Sequence, residues 1–96
     1  VENLMFLYQS TQRAFGSDFE WSVCAAGRHQ MPMVTAGLLM GGHVRVGLED
    51  SLFVSRGTLA KSSAEQVEKV VRIARELSIE LATPDEARQI LGLNPL

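Results

Sequence analysis

The sequence predicts an α/β fold built on parallel strands, and one that this chain does not close by itself. Three observations carry that reading. Segments of helical and strand-like pattern follow one another as helix, strand, helix, strand, helix, helix, which implies parallel strands with right-handed crossovers. FEWSVCAAG (19–27) is apolar without polar alternation, as suits a strand covered on both faces. Two parallel strands make no stable sheet, because their open edges and apolar faces need neighbours.

The elements follow in order. Leu4, Met5, Tyr8 and Phe15 sit at roughly helical spacing, so residues 1–15 read as a helix, and FGSD (15–18) reads as the turn after it. The strand over 19–27 ends in glycine. In MPMVTAGLLMGG (31–42), Pro32 suits a first helical turn, and Gly41 and Gly42 suit its C-terminal stop. HVRVGLED (43–50) is the second strand. SSAEQVEKVVRIARELS (62–78) offers Ser62 as N-cap and Glu65 three residues on, a capping box. Val67, Val70, Val71, Ala74 and Leu77 then form one apolar stripe. Glu68, Lys69, Arg72, Arg75 and Glu76 read as a solvated face and not as a binding patch. TPDEARQILG (83–92) repeats the logic: Thr83 caps, Pro84 comes first and Glu86 completes the box. Ala87, Ile90 and Leu91 form its apolar face, and Gly92 stops it. Met31, Met33 and Met40 read as core, and Trp21 as a buried strand anchor with its N–H paired.

Composition narrows the classes. Of the 96 residues, 46% are hydrophobic, which rules out a disordered composition. A net charge of −2 and a pI of about 5.6 give no electrostatic invitation to nucleic acid. No apolar run approaches the roughly 18 residues of a membrane span, and no signal peptide is legible. Opening on Val1, the chain reads as starting within a longer protein or at a processed end. Cys24 is alone, so no internal disulfide or cysteine-based metal site can form. Its apolar neighbours predict a reduced thiol packed in a core, as in a cytoplasmic protein.

The chemistry concentrates in GGHVRVGLEDS (41–51). On a strand, Arg45, Gly47 and Glu49 share one face, and Val44, Val46 and Leu48 the other. Glycine leaves space for a ligand or for the charged groups to approach. Residues four apart on a strand are about 13 Å apart, so Arg45 and Glu49 need not touch. Asp50 falls where strand meets loop, the end at which parallel α/β folds carry their sites. A charge buried there unpaired costs several kcal/mol, so these groups should meet a metal, a substrate or each other. Spacing alone leaves other readings: a solvated edge strand, a structural ion pair through Arg45, or an ordinary turn at Glu49–Asp50–Ser51. Likewise, AAGRHQ (25–30) could bring Arg28 to a ligand phosphate, but reads more simply as a strand-to-helix turn. Thr35 and Ser51 have no nearby histidine to activate them.

Residues 21–93, most of the chain, resemble the C-terminal part of the β-keto acid cleavage enzymes. GGHVRVGLED, the G-x-LA at 57–60 and ATPDEARQILGL (82–93) together carry the likeness. Two positions depart: Ser51 and Ser63 stand where the family favours Asn. The resemblance implies a (β/α)8 TIM barrel, of which residues 1–96 would form the C-terminal part of a single domain. Strands seven and eight would lie at about 19–27 and 43–50, and the C-terminal helices at 62–78 and 84–91. Such a barrel needs about 250 residues, so the rest of the barrel chain is an implied partner. The implied reaction joins a β-keto acid with acetyl-CoA to give acetoacetate and a new CoA thioester. By resemblance Glu49 ligates a divalent metal, usually zinc, and Asp50 belongs to the network that deprotonates the substrate. Arg45 is its partner and stabilises negative charge on the reacting intermediate. The family's metal-binding histidines form a His-x-His pair absent here, so His29 and His43 are not candidates. His43 reads as structural, and His29 as a loop residue near the site mouth. A homo-oligomer, such as a tetramer, is also implied. The competing class is a non-catalytic α/β module whose charged strand end fixes packing or a partner.

Overall fold

A computed structural model describes residues 1–16 and 19–93 of the chain. Helix α1 (Glu2–Phe15) leads to strand β1 (Ser22–Val23), a 3-10 turn (Gly27–His29) and helix α2 (Gln30–Leu39). Strand β2 (His43–Val44) follows, then β3 (Phe53–Ser55), β4 (Thr58–Leu59), α3 (Ser63–Glu76) and α4 (Pro84–Ile90). Strands β1 and β2 pair in parallel, Ser22 opposite His43 and Val23 opposite Val44, with α2 as the crossover between them. The parallel α/β unit expected from the alternating pattern is present.

Its ladder is shorter than the apolar runs suggested. His43 N–H donates to Trp21 C=O and Arg45 N–H to Val23 C=O, at 2.9 and 3.0 Å. Beyond Arg45 the chain leaves the ladder: the N–H groups of Asp50 and Ser51 both turn back to Gly47 C=O at 3.2 Å. What reads as strand period over 45–49 is therefore the approach to a turn.

Packing centres on α2. Val34 is fully buried, and with Leu4, Val23 and Val70 it forms the core, backed by half-buried Trp21, Met31, Met33, Met40, Val44 and Val46. Of α1, Leu4 reaches this core and Tyr8 packs on Trp21, whereas Met5 is 47% and Phe15 70% exposed, so half of the spaced apolar residues do not dock. Cys24 is exposed, contrary to the expectation of a core thiol. It follows buried Val23 on β1, and alternation turns it to the face opposite α2. Trp21 is half-buried; its ring packs over Gly42 and lies 5.1 Å from that of Tyr8. Its indole N–H has no protein partner among the described residues.

The helix ends follow the sequence signals closely. The paired glycines stop α2 as expected: Gly41 has φ 82°, Gly42 N–H donates to Gly37 C=O and Gly41 N–H to Leu38 C=O, which is a Schellman closure. At α4, Thr83 Oγ1 accepts from Glu86 N–H, and the Glu86 carboxylate accepts from Thr83 N–H. The Thr83 backbone N–H and then its hydroxyl hold the Glu86 carboxyl below the usual carboxylate range. Gly92 stops α4 as expected, but Ile90 and Leu91 remain exposed. At α3, Ser62 caps Glu65 N–H at 3.2 Å; the return bond of a full box is not made. Val70 and Ala74 are buried, while Val67 and Leu77 at the stripe's margins are exposed. The turn expected over 15–18 is described as far as Gly16; Ser17 and Asp18 lie outside the described residues.

The close of α3 holds a strained residue. Ser78 has φ 58°, and its neighbour Ile79 donates to Ala74 C=O as in a Schellman motif. Left-handed backbone costs a non-glycine residue about 1 kcal/mol, partly offset by the extra freedom glycine has when unfolded. Ser78→Gly is therefore expected to stabilise the fold by about 0.5 kcal/mol, read as a higher denaturation midpoint. An unchanged or lower midpoint rejects the strain.

Strands β3 and β4 form an antiparallel hairpin that the sequence reading did not contain. Ser55 pairs with Thr58 across Arg56 and Gly57, and Gly57 takes φ 74°. Side chains from α3 hold it: Gln66 Nε2 donates to Ser51 C=O at 2.7 Å and to Phe53 C=O at 3.2 Å, and Lys69 Nζ donates to Val54 C=O and to Ser55 Oγ at 2.9 Å. Lys69 is thus no part of a merely solvated face; Glu68, Arg72, Arg75 and Glu76 are exposed as expected. No helix among the described residues is long and apolar enough to cross a membrane.

Large apolar residues stay open, among them Phe6 at 66%, Leu39 at 66% and Leu52 at 60% exposure. The radius of gyration is 14.2 Å, against about 12.5 Å for a compact domain of this length. The described residues do not close a core around the parallel pair.

Candidate active site

The expected charged groups meet just past β2. Arg45 leaves the ladder at the end of the strand, and the turn over 48–50 folds the two carboxylates back onto it. Arg45 Nε lies 3.2 Å from Asp50 Oδ2, and Nη2 donates to Asp50 Oδ1 at 3.4 Å. Arg45 Nη2 is also 3.7 Å from Glu49 Oε1. The Nε–Oδ2 approach is a charge contact without hydrogen-bond alignment, so Oδ2 stays buried and unbonded. One guanidinium therefore serves two carboxylates. The geometry of an extended strand, about 13 Å apart, does not apply, because the turn at Gly47 intervenes.

The two carboxylates differ in environment. Asp50's side chain is 20% exposed, whereas those of Glu49 and Arg45 are 58% exposed. One long hydrogen bond and one charge contact from Arg45 orient Asp50; as stability, such open pairs are worth at most about 1 kcal/mol. Gly47 is needed for the arrangement. A Cβ there would fall on the Glu49 carboxylate, with Oε2 at 2.7 Å and Cδ at 2.6 Å. The space predicted for a small residue is occupied by the acid itself.

Neighbouring polar groups fix the turn. Ser63 Oγ accepts from Leu48 N–H at 3.1 Å, and Ser51 Oγ accepts from Phe53 N–H at 3.2 Å. The two positions that depart from the resemblance thus both bind local backbone. Gln30 Nε2 donates to Gly47 C=O at 3.3 Å, and Gly27 N–H donates to Asp50 C=O at 2.9 Å. The loop after β1 is therefore tied to the turn after β2. Gln30 and Gln66, both buried, were missed as supports in the sequence. Gln66 had a legible signal: it stands four and eight residues before Val70 and Ala74, a polar residue on the core stripe.

A model of the beta-keto acid cleavage enzymes matches residues 1–93. The chain belongs to the β-keto acid cleavage enzyme family. It is 59% identical over 73 residues to 3-keto-5-aminohexanoate cleavage enzyme of Fusobacterium nucleatum, covering 76% of this chain and 27% of that protein. It is 46% identical over 92 residues to 3,5-dioxohexanoate:acetyl-CoA acetone transferase of Paraburkholderia graminis, covering 96% and 30%. Against 3-oxoadipate:acetyl-CoA acetyltransferase of Cupriavidus necator the identity is 37% over 90 residues, covering 94% and 32%. The chain thus spans less than a third of the length of these curated relatives.

In this chain of the β-keto acid cleavage enzyme family, the described residues gather no group of three or more His, Cys, Asp and Glu that could hold a metal. The donors present nevertheless suit a partial site. Glu49 is exposed and accepts no hydrogen bond among the described residues, so its oxygens are open to a cation besides Arg45. Zinc commonly takes three protein ligands and keeps a position open, and Glu49 fits as one of them. The histidines do not join it. His43 Nε2 lies 2.7 Å from Glu20 Oε2, a structural pairing as expected, and His29 is exposed in the 3-10 turn.

Proposed function

We propose that this chain supplies the seventh and eighth strands of a (β/α)8 barrel whose enzyme transfers between a β-keto acid and acetyl-CoA. The products are acetoacetate and the CoA thioester of the remaining acyl group. The observation that carries the reading is the Arg45 guanidinium shared by Asp50 and Glu49 at the C-terminal end of a parallel strand, in a chain of this family. Strand C-termini are where such barrels place their chemistry. Preceding strands of the same barrel would cover the open edge of β1 and the apolar surfaces left exposed.

In the proposed reaction Asp50 takes the proton from the carbon between the two carbonyls of the keto acid. The carbanion forms its new bond to the acetyl carbonyl as CoA thiolate leaves. That thiolate then adds to the keto carbon, the old carbon–carbon bond breaks, and the proton returns. Asp50 is positioned for the proton by the two-point contact with Arg45, and its limited exposure restricts water around it. Arg45 keeps the positive charge that a developing oxyanion requires. Glu49 would hold zinc, which when bound polarises the keto-acid oxygens. The enzyme would be cytoplasmic and homo-oligomeric.

Metal analysis of the complete protein tests the assignment of Glu49. Glu49→Gln is expected to weaken zinc binding by more than about tenfold, read as metal content after dialysis. Gly47→Ala should do the same without unfolding, because its Cβ displaces only the end of the Glu49 side chain. Equal zinc in wild type and both variants removes Glu49 from the metal site. Absence of acetoacetate from a panel of β-keto acids with acetyl-CoA would leave the non-catalytic reading.

A further inference from the structure

A cavity of about 670 Å³ opens between the loop after β1 and the β3–β4 hairpin. Arg28 from the 3-10 turn, Arg56 from the hairpin tip and Lys69 from α3 line it, and no carboxylate does. Three of the chain's nine Lys and Arg residues thus gather on one cavity, although the chain as a whole is acidic. Arg28 and Arg56 have no carboxylate partner among the described residues, whereas Arg45 and Arg88 are paired. Lys69 is committed to the hairpin carbonyls, which leaves the two arginines as the open donors. Gln30, 1% exposed, stands in the same wall and keeps its carboxamide Oε1 without a partner. Phe53 supplies a flat apolar surface beside them.

The cavity also adjoins the charged trio. Gly27, in its lining, donates its N–H to Asp50 C=O. The cavity wall is thus tied to the backbone of the turn that carries Asp50. In α/β barrels the loops after strands seven and eight commonly form a phosphate site, and these are the two loops that bound the cavity if the barrel reading holds.

We infer that this cavity holds the phosphate-bearing nucleotide end of the CoA thioester, with Arg28 and Arg56 on its phosphates. The forked guanidinium suits phosphate oxygens, Phe53 can stack a base, and Gln30 Oε1 accepts an N–H from the ligand. This inference rests on the proposed reaction for the identity of the ligand. A phosphorylated acid or free phosphate would present the same chemistry, so the test separates the sources.

The test uses the complete protein and titration calorimetry with CoA, 3′-dephospho-CoA, pantetheine and inorganic phosphate. Arg28→Ala and Arg56→Ala are each expected to weaken CoA binding about tenfold, and the double variant about a hundredfold. Pantetheine should bind wild type and variants alike, and Arg56→Lys should recover part of the loss. Variants that bind CoA as wild type does overturn the inference. So does an equal loss for CoA and pantetheine, which marks general damage, and so does saturation by inorganic phosphate with no binding of CoA. Binding is read without turnover, so an inactive protein that keeps the CoA contrast sinks only the proposed reaction. An active one that lacks the contrast sinks only this site.

Discussion

On the proposed reaction, Asp50→Asn is expected to lower kcat of the complete protein about a thousandfold while leaving the zinc held through Glu49 in place. Loss of a positioned base typically costs two to four decades, or roughly 10²–10⁴ in rate. The substitution keeps the side chain's shape. Its amide oxygen can still accept from Arg45 Nη2, which now donates to Asp50 Oδ1 at 3.4 Å, so the turn should survive. What disappears is the capacity to take a proton. The paired measurement gives the experiment its force, because Glu49→Gln should lose metal and Asp50→Asn should not. A kcat within tenfold of wild type, or loss of zinc in parallel with activity, would show that Asp50 has no separate role in proton transfer.

The largest expected effect on stability comes from Gly37→Ala. Gly37 lies where α2 crosses β1 and β2, and a Cβ there would overlap Val23 Cγ1, with Val23 Cβ at 3.4 Å and Val44 Cγ1 at 3.5 Å. Two terms compete. Alanine is the better helix former by about 1 kcal/mol, while overpacking a filled core costs about 1–3 kcal/mol. Val23 is 7% exposed and β-branched, so it cannot swing aside cheaply. The net expectation is a loss of up to about 2 kcal/mol, read as a lower denaturation midpoint. Val23→Ala in the same chain should make room for the new methyl, so the double variant should show favourable coupling of at least about 0.5 kcal/mol. A Gly37→Ala protein with a raised midpoint would mean that α2 does not rest on β1 at this glycine.

How far these features were legible depends on how local their physics is. Helix ends were readable because their chemistry is contained in a few consecutive residues: Thr83, Pro84 and Glu86 at one end, Gly41 or Gly92 at another. The charged trio was readable as a set, since Arg45, Glu49 and Asp50 interrupt an apolar run. Its geometry was not, because a period of two looks the same whether the chain stays extended or is about to turn. The hairpin at 53–59 escaped notice for a related reason. Its strands are short and largely exposed, and what fixes them is Gln66 and Lys69 reaching across from another element. Cys24 misled because apolar neighbours in sequence say nothing about which face of a strand is covered.

The way that hairpin is fastened has an evolutionary consequence. Gln66 and Lys69 grip mainly main-chain carbonyls, at Ser51, Phe53 and Val54, and every amino acid carries a carbonyl. Mutations at the tip can therefore accumulate without loosening the mooring. A lineage could retune which molecules it recognises at that rim while the scaffold underneath stays untouched.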